Sequence, residues 1–427
     1  MIKLCHSLFS VVKNFNYGMK KYTITLVAIL VFIMDNSIAQ TSENYYELAE
    51  KIHSEIVSID THVDTPLRML RGFDITKRND GRKDGSKLDF PRMKEGGLDA
   101  VFFAVFVGQS KRDAEGNRKA YDKAVQTFKV IDSVLAVNTN LAEIALTSAD
   151  ALKIKNHNKL AIYLGIENGY PIGKDISLVK HFYDMGARYI TLCHTKNNDI
   201  CDSSTDPEGP EHNGLSSFGK EVVKEMNRIG MIIDVSHVSD KTVLDILEIS
   251  PVPVIASHSC AWTLNENPRN INDELIKKIA EKGGVIQVCF YSGYLKNPEP
   301  NPVRDSLIAD LRLRYNDFED LSNEMMQKAR AERYEINEKF PQKLAHVSDV
   351  VDHIDHIVKI AGIDYVGIGT DFDGGGGVEG CIDASEMKNI TIELLKRGYS
   401  KEEIGKIWGG NFFRVFRIVE EFRANKY

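Results

Sequence analysis

Short, almost continuously apolar runs alternate with longer stretches of helical periodicity along most of this chain. The runs cover residues 56–60, 100–107, 160–166, 187–192, 231–235, 252–256, 285–290 and 365–369. Apolar runs of this length suit parallel strands buried on both faces. Between them, residues 121–137, 178–185, 218–228, 240–248, 272–281 and 347–360 carry the amphipathic pattern of helices. Ser239-Asp240 and Asn272-Asp273-Glu274 read as helix starts, and Gly186, Gly230, Gly283 and Gly362 fall where helices should stop. Eight buried strands with crossover helices predict an α/β fold, most economically a closed (β/α)8 barrel of the TIM type. A doubly wound open sheet is the runner-up.

Two segments depart from the repeat. Residues 72–88 form a polar loop rich in Arg, Lys and Asp after the first run, and residues 296–344 form a charged, largely helical insertion after the seventh. Pro298, Pro300 and Pro302 mark the entry of the insertion. Both belong at the C-terminal rim, where barrel enzymes elaborate their sites. Residues 401–426 read as helices that close a single domain spanning residues 40–427.

The N-terminus carries a different signal. Met19-Lys20-Lys21 opens a basic region, residues 24–34 are apolar, and Ser37-Ile38-Ala39 supplies small residues at a cleavage-site spacing. The run is too short for a stable transmembrane helix, so residues 1–39 read as a cleavable signal peptide, with Met19 as an alternative start. An uncleaved membrane anchor is the competing reading. A periplasmic or secreted protein with no stable membrane span after cleavage is expected.

Composition adds two limits. With 427 residues, 43% of them hydrophobic, the chain can bury one large core. A formal net charge of −7 leaves no basic footprint for nucleic acid. Of six cysteines, Cys193, Cys260 and Cys289 sit in or just after apolar runs and read as small buried hydrophobes. There is no Cys-x-x-Cys pair.

The chemistry gathers where the runs end. The first leads into Asp60-Thr61-His62-Val63-Asp64, and His62 and Asp64, two residues apart, project to one side of an extended segment. The third ends at Glu167, the fourth leads to His194, the fifth to His237, the sixth to His258 and the eighth to Asp371. Burying four histidines and three acidic residues together is costly unless they pair or hold metal. Imidazole and carboxylate suit zinc, and a carboxylate can bridge two ions. A two-metal site is therefore expected, with a metal-bridging hydroxide as nucleophile, since zinc lowers the pKa of bound water to about 7.

The chain resembles the membrane (renal) dipeptidase family, zinc dipeptidases of the amidohydrolase-like barrels. The resemblance runs from His62 to Asn411 and rests on His62-Val63-Asp64, Gly165-Ile166-Glu167-Asn168 and Asp234-Val235-Ser236-His237. Ser257-His258-Ser259 with Arg269-Asn270, Gly369-Thr370-Asp371-Phe372-Asp373-Gly374 and Gly409-Gly410-Asn411-Phe412 complete it. It implies two Zn2+ per chain, with His62 and Asp64 on one, His237 and His258 on the other, and Glu167 bridging. It implies that His194 contacts substrate and stabilises the oxyanion, and that Arg269 holds the terminal carboxylate of a dipeptide. Asp371 would carry the proton from water to the leaving amine, and Tyr294 would help orient substrate. The family also suggests a homodimer. Read without the resemblance, the residues do not separate a ligand His237 from a substrate-contacting His194.

Other clusters invite the same reading and are set aside. His346, His353 and His356 with Asp349, Asp352 and Asp355 fall along one helix and read as a solvated or capping face. Residues 374–377 are four glycines without the lysine of a phosphate loop, and read as a turn that exposes Asp371. Asp373 is either a helix start or a partner behind the site. Asp60 and Asp234 read as hydrogen-bond acceptors behind the site or at strand ends, not as ligands, His181 and His212 as surface residues, and Trp262 as packing or pocket lining. Hydrolysis of N-acyl amino acids or β-lactam-like amides is the alternative activity. A periplasmic binding protein with a degenerate metal site is the alternative outside enzymes, and a single-metal deaminase is disfavoured by Glu167.

Overall fold

The computed structural model describes residues 44–79, 85–318 and 321–426. The segment read as a signal peptide lies outside these residues. Contacts divide the chain into a short unit ending at Lys51 and a large one, Ile52–Tyr427. The described part of the first is helical. Among the described residues no helix is long and apolar enough to cross a membrane.

The large unit is built on parallel strands β1 Ile59–Val63, β2 Ala100–Phe106, β3 Ala142–Ile144, β4 Leu160–Glu167, β5 Ala187–Thr191, β6 Ile232–Asp234, β7 Ile255–Ser259, β8 Val285–Val288 and β9 Val366–Ile368. They pair in the order β1-β2-β4-β5-β6-β7-β8-β9, and β3 adds to β4 from outside this path. The two ends meet: Val63 bridges Phe372, Asp64 N–H donates to Phe372 O at 2.8 Å, and Asp371 N–H donates to His62 O at 3.0 Å. The sheet is a barrel ringed by helices, as the eight apolar runs predict.

Two boundaries differ from the sequence pattern. The first strand begins at Ile59 rather than Ile56, because the preceding helix runs on through residue 55. That shift puts His62 inside the strand. The short β3 was not legible, since Ala142-Glu143-Ile144 has neither the length nor the alternation of a strand.

Alternation along the strands makes the barrel interior apolar at the bottom and polar at the top. Ile59, Ala100, Phe102, Ala161, Tyr163, Tyr189, Ile232, Ile255 and Val285 form one buried cluster. The C-terminal helix Asn411–Lys426 seals it with Phe412, Val415, Phe416 and Val419. Moving two residues on keeps each strand on the same face. Tyr163 thus leads through Gly165 to Glu167, Tyr189 to Thr191, Ile232 to Asp234, Ile255 to Ser257 and Val285 to Gln287. The alternate positions, such as Val101, Phe103, Ile162, Ile233 and Ile286, belong to the larger core under the helices. One helix of that layer, Ser217–Ile229, buries Val222, Val223, Met226 and Ile229 and ends at Gly230 with φ 77°. Each such side chain contributes about 1.5–3 kcal/mol by burial.

The insertion after β8 carries the helices Pro302–Arg314 and Asn323–Lys339. The five cysteines among the described residues are buried and free.

Candidate metal centre

Polar positions at the strand ends deliver seven ionisable side chains to one rim. His62 lies in β1 with Asp64 directly after it, Glu167 ends β4 and His258 lies in β7. His194, His237 and Asp371 each follow their strand by three residues, after β5, β6 and β9. His62, Asp64, Glu167, His237 and His258 are buried, and His194 is a quarter exposed at 25%.

Glu167 is the hub. Its Oε1 lies 3.1 Å from His237 Nε2, 3.6 Å from His194 Nε2 and 3.7 Å from His258 Nε2. Its Oε2 lies 3.4 Å from His62 Nε2, which is 3.8 Å from Asp64 Oδ2. Three overlapping donor sets result: His62, Glu167 and His258; Glu167, His194 and His237; His62, Asp64 and Asp371. Within each set the donor atoms lie no more than 4.8 Å apart.

These groups do not satisfy one another. His62 Nε2 and Asp64 Oδ1 are buried without a hydrogen-bond partner, which costs about 1–3 kcal/mol for each such group. His237 Nε2 and His258 Nε2 face each other at 2.9 Å, where two imidazoles can share at most one proton. Bare nitrogens and carboxylate oxygens converging in this way fit divalent cations, and the nitrogen and oxygen set suits zinc.

Backbone geometry holds the turns at this rim. Asn168, His237, Asp371 and Asp373 have φ of 79°, 69°, 59° and 68°. Such left-handed conformations cost about 1–3 kcal/mol each and persist where their surroundings over-determine them. At Asp371 the determinants are visible. Its carbonyl accepts N–H bonds from Gly374, Gly375 and Gly376 at 3.1, 3.0 and 2.7 Å. A Cβ at Gly374 would lie 2.1 Å from Asp64 Oδ2 and 2.2 Å from Asp371 Oδ1. The glycine run is therefore a tight cradle that lets two carboxylates sit side by side, rather than a loose exposing turn. Burial, reinforced by Asp64, raises the Asp371 carboxyl well above the usual range. Burial and then the charge of Arg269 push His194 down to about 3, so its ring is neutral near pH 7.

Arg269 reaches the centre from the loop after β7. It is buried, and its guanidinium donates to His258 O at 3.0 Å and Ser259 Oγ at 3.4 Å, leaving Nε without a partner. The ring of Tyr294 lies 5.1 Å from that guanidinium. Tyr291 packs edge-on against Tyr294 at 4.6 Å and lies beside Gly375, next to Asp371. All nine residues singled out from the sequence thus lie at or beside one centre.

The supporting carboxylates find defined partners. Asp60 accepts from Thr370 N–H at 2.8 Å and Thr370 Oγ1 at 2.5 Å, tying β1 to the segment after β9. Asp373 accepts from Thr65 Oγ1 at 2.7 Å, Arg68 Nε at 3.1 Å and Lys87 N–H at 2.9 Å. It is a partner behind the site that ties the rim loop to the Asp371 turn. Tyr189 was missed in the sequence, where it read only as a strand residue. Its hydroxyl meets His62 Nδ1 at 2.9 Å, and a Cβ at Gly165 would lie 2.2 Å from its ring. The signal was there: a phenol on an inward strand position needs a partner. Tyr291 carried no such signal.

The set-aside residues have other work. His346 caps the helix Val347–Ala361, and His356 meets Asp273 at 2.7 Å. Asp352 and Asp355 accept from Arg397 at 2.6 and 2.7 Å. His353 departs from a solvated face, being buried between Ala261 N–H at 3.0 Å and Leu295 O at 2.9 Å. His181 is exposed against Tyr121, His212 is half-buried against Asn198 O, and Trp262 is 40% exposed.

Known proteins resemble this chain over most of its length. A dipeptidase of Claviceps purpurea, tcpJ, is 33% identical over 366 residues, covering 84% of this chain and 76% of its own. Dipeptidase 3 of Mus musculus is 31% identical over 375 residues, covering 86% of this chain and 65% of its own. The crystal structure of the probable dipeptidase PvdM from Pseudomonas aeruginosa superposes with a TM-score of 0.77 at 31% identity, covering 89% of this chain and 99% of that one. The model of the membrane dipeptidase family, peptidase family M19, matches residues 46–427, and the chain belongs to that family.

Proposed function

We propose that this chain hydrolyses the peptide bond of dipeptides at a two-zinc centre. The observation that carries the reading is the convergence of His62, Asp64, Glu167, His237 and His258, with bare buried donor atoms, beside the buried guanidinium of Arg269. His62 and Asp64 would hold one ion, His237 and His258 the other, and Glu167 both. Bound zinc would polarise the peptide carbonyl and supply hydroxide near neutral pH.

The chain's own residues supply the rest. Asp371, as the carboxylate it would be beside bound cations, would take a proton from water and return it to the leaving amine; its burial strengthens its hold on that proton between the two steps. His194, neutral and a quarter exposed beside Glu167, would face the carbonyl oxygen as charge develops there. Arg269 would bind the substrate's free carboxylate, its fork matching two oxygens. Tyr294, lying against that guanidinium, would orient the same end. A carboxylate clamp at fixed distance from the metals favours dipeptides over longer chains.

An N-acyl amino acid also presents a carboxylate next to an amide, so the same clamp admits it. Turnover of a panel of dipeptides, tripeptides, N-acyl amino acids and a β-lactam by the zinc-loaded protein separates the readings. The account expects dipeptides to dominate kcat/KM; preference for the acylated amino acids would replace it. Export of the chain is proposed on residues 1–39 alone, and N-terminal sequencing of the mature protein tests it.

A further inference from the structure

The sequence places Asp234, Ser257 and His258 on neighbouring strands, and the structure joins them into a chain of hydrogen bonds. Asp234 Oδ1 accepts two backbone N–H bonds, from Ser236 at 3.0 Å and Ser257 at 2.8 Å. Its Oδ2 accepts two hydroxyls, Thr191 Oγ1 at 2.5 Å and Ser257 Oγ at 2.6 Å. On its other side Ser257 Oγ meets His258 Nδ1 at 2.8 Å. Asp234, Ser257 and His258 are all buried, so water does not compete for these contacts.

A serine hydroxyl has one proton to give. The short contact with Asp234, which meets only donors, takes it. The lone pair of Ser257 Oγ then accepts from His258, which fixes the proton on Nδ1 and leaves Nε2 bare. It is Nε2 that faces His237 Nε2 at 2.9 Å and Glu167 Oε1 at 3.7 Å. His237 has no counterpart, because its own Nδ1 is buried without a partner.

We infer that Ser257 is a positioning residue that relays Asp234 to His258, setting the imidazole tautomer that presents Nε2 to metal. This inference rests on the metal-centre reading above. Hydrogen-bond partners behind a metal-binding histidine are worth about 10- to 100-fold in metal affinity.

Asp234→Asn is the discriminating variant. It keeps the shape and the two backbone bonds at Oδ1, but it turns the Oδ2 position into an NH2 donor. Ser257 Oγ, no longer donating to residue 234, is then free to donate a hydrogen bond to His258 Nδ1, which favours the tautomer that carries its one proton on Nε2. The full chain is stripped with a chelator and titrated with Zn2+ against a chromophoric competitor, and the thermal midpoint of each metal-free variant is recorded. Asp234→Asn is expected to weaken one of the two zinc equivalents by about 10- to 100-fold. Ser257→Ala should weaken the same equivalent. Once Ser257 is Ala, adding Asp234→Asn should cost less than it does alone, because the relay is already cut.

Wild-type zinc affinity in Asp234→Asn and Ser257→Ala would overturn the relay while leaving the metal centre standing. So would additive losses in the double variant, or losses that follow only the fall in metal-free thermal midpoint. A wild-type chain that binds no zinc overturns the metal-centre reading and the relay with it.

Discussion

Replacing Arg269 by methionine removes the charge and the fork while keeping most of the side-chain volume. The guanidinium is buried, bonds only His258 O and Ser259 Oγ, and keeps Nε without a partner, so donor capacity remains for a ligand. Truncating one partner of a buried, hydrogen-bonded charge pair costs about 2–5 kcal/mol. At 1.36 kcal/mol per factor of ten, that is a loss of roughly 30- to several-thousand-fold in kcat/KM for a dipeptide. Lysine should recover only part of it, because a point charge cannot match two oxygens at once. The assay that isolates the clamp compares each dipeptide with its C-terminal amide. The wild type should lose the same large factor on the amide, whereas Arg269→Met should treat acid and amide almost alike. A variant that still prefers the acid by the wild-type factor would refute the clamp, however low its activity.

Three further outcomes follow from the same geometry. Asp371→Asn should lower kcat by about 100-fold or more while zinc content stays at the wild-type level; zinc loss would instead make Asp371 a ligand, a role its closeness to His62 and Asp64 permits. Glu167→Gln should reduce zinc to below one ion per chain by metal analysis, because its two oxygens face opposite histidines; retention of both ions would contradict the bridging role. Asp373→Ala should destabilise the chain by about 1–3 kcal/mol, since it removes the buried carboxylate that accepts from Arg68, Thr65 and Lys87 N–H. Thermal melting checks this, and a midpoint within a degree of wild type would argue against it.

Much of this site is legible in the sequence because a barrel strand displays its chemistry at its end. His62 and Asp64 stand two apart, and Glu167 ends an otherwise apolar strand, so each breaks a pattern that the eye can follow. What escapes is chemistry that depends on a neighbour across the barrel. Tyr189 reads as one more strand residue until Gly165, on the adjacent strand, is seen to leave room for its ring against His62. The glycine run reads as a flexible turn until the two carboxylates it separates are placed side by side. His353 reads as solvated because its helix is rich in acids, yet it bonds one backbone group in the loop after β7 and another in the segment after β8. Strand limits slip for a similar reason. Whether residue 56 begins a strand or ends a helix is decided by the helix before it, which local hydrophobicity does not record.

The central claim is a two-metal centre that performs the hydrolysis. Elemental analysis of the purified full chain, paired with dipeptide turnover through chelator stripping and stepwise return of Zn2+, addresses it directly. The account predicts two metal ions per chain, loss of turnover on stripping, and recovery that is complete only when the second equivalent is restored. Full turnover with one equivalent or none would contradict it.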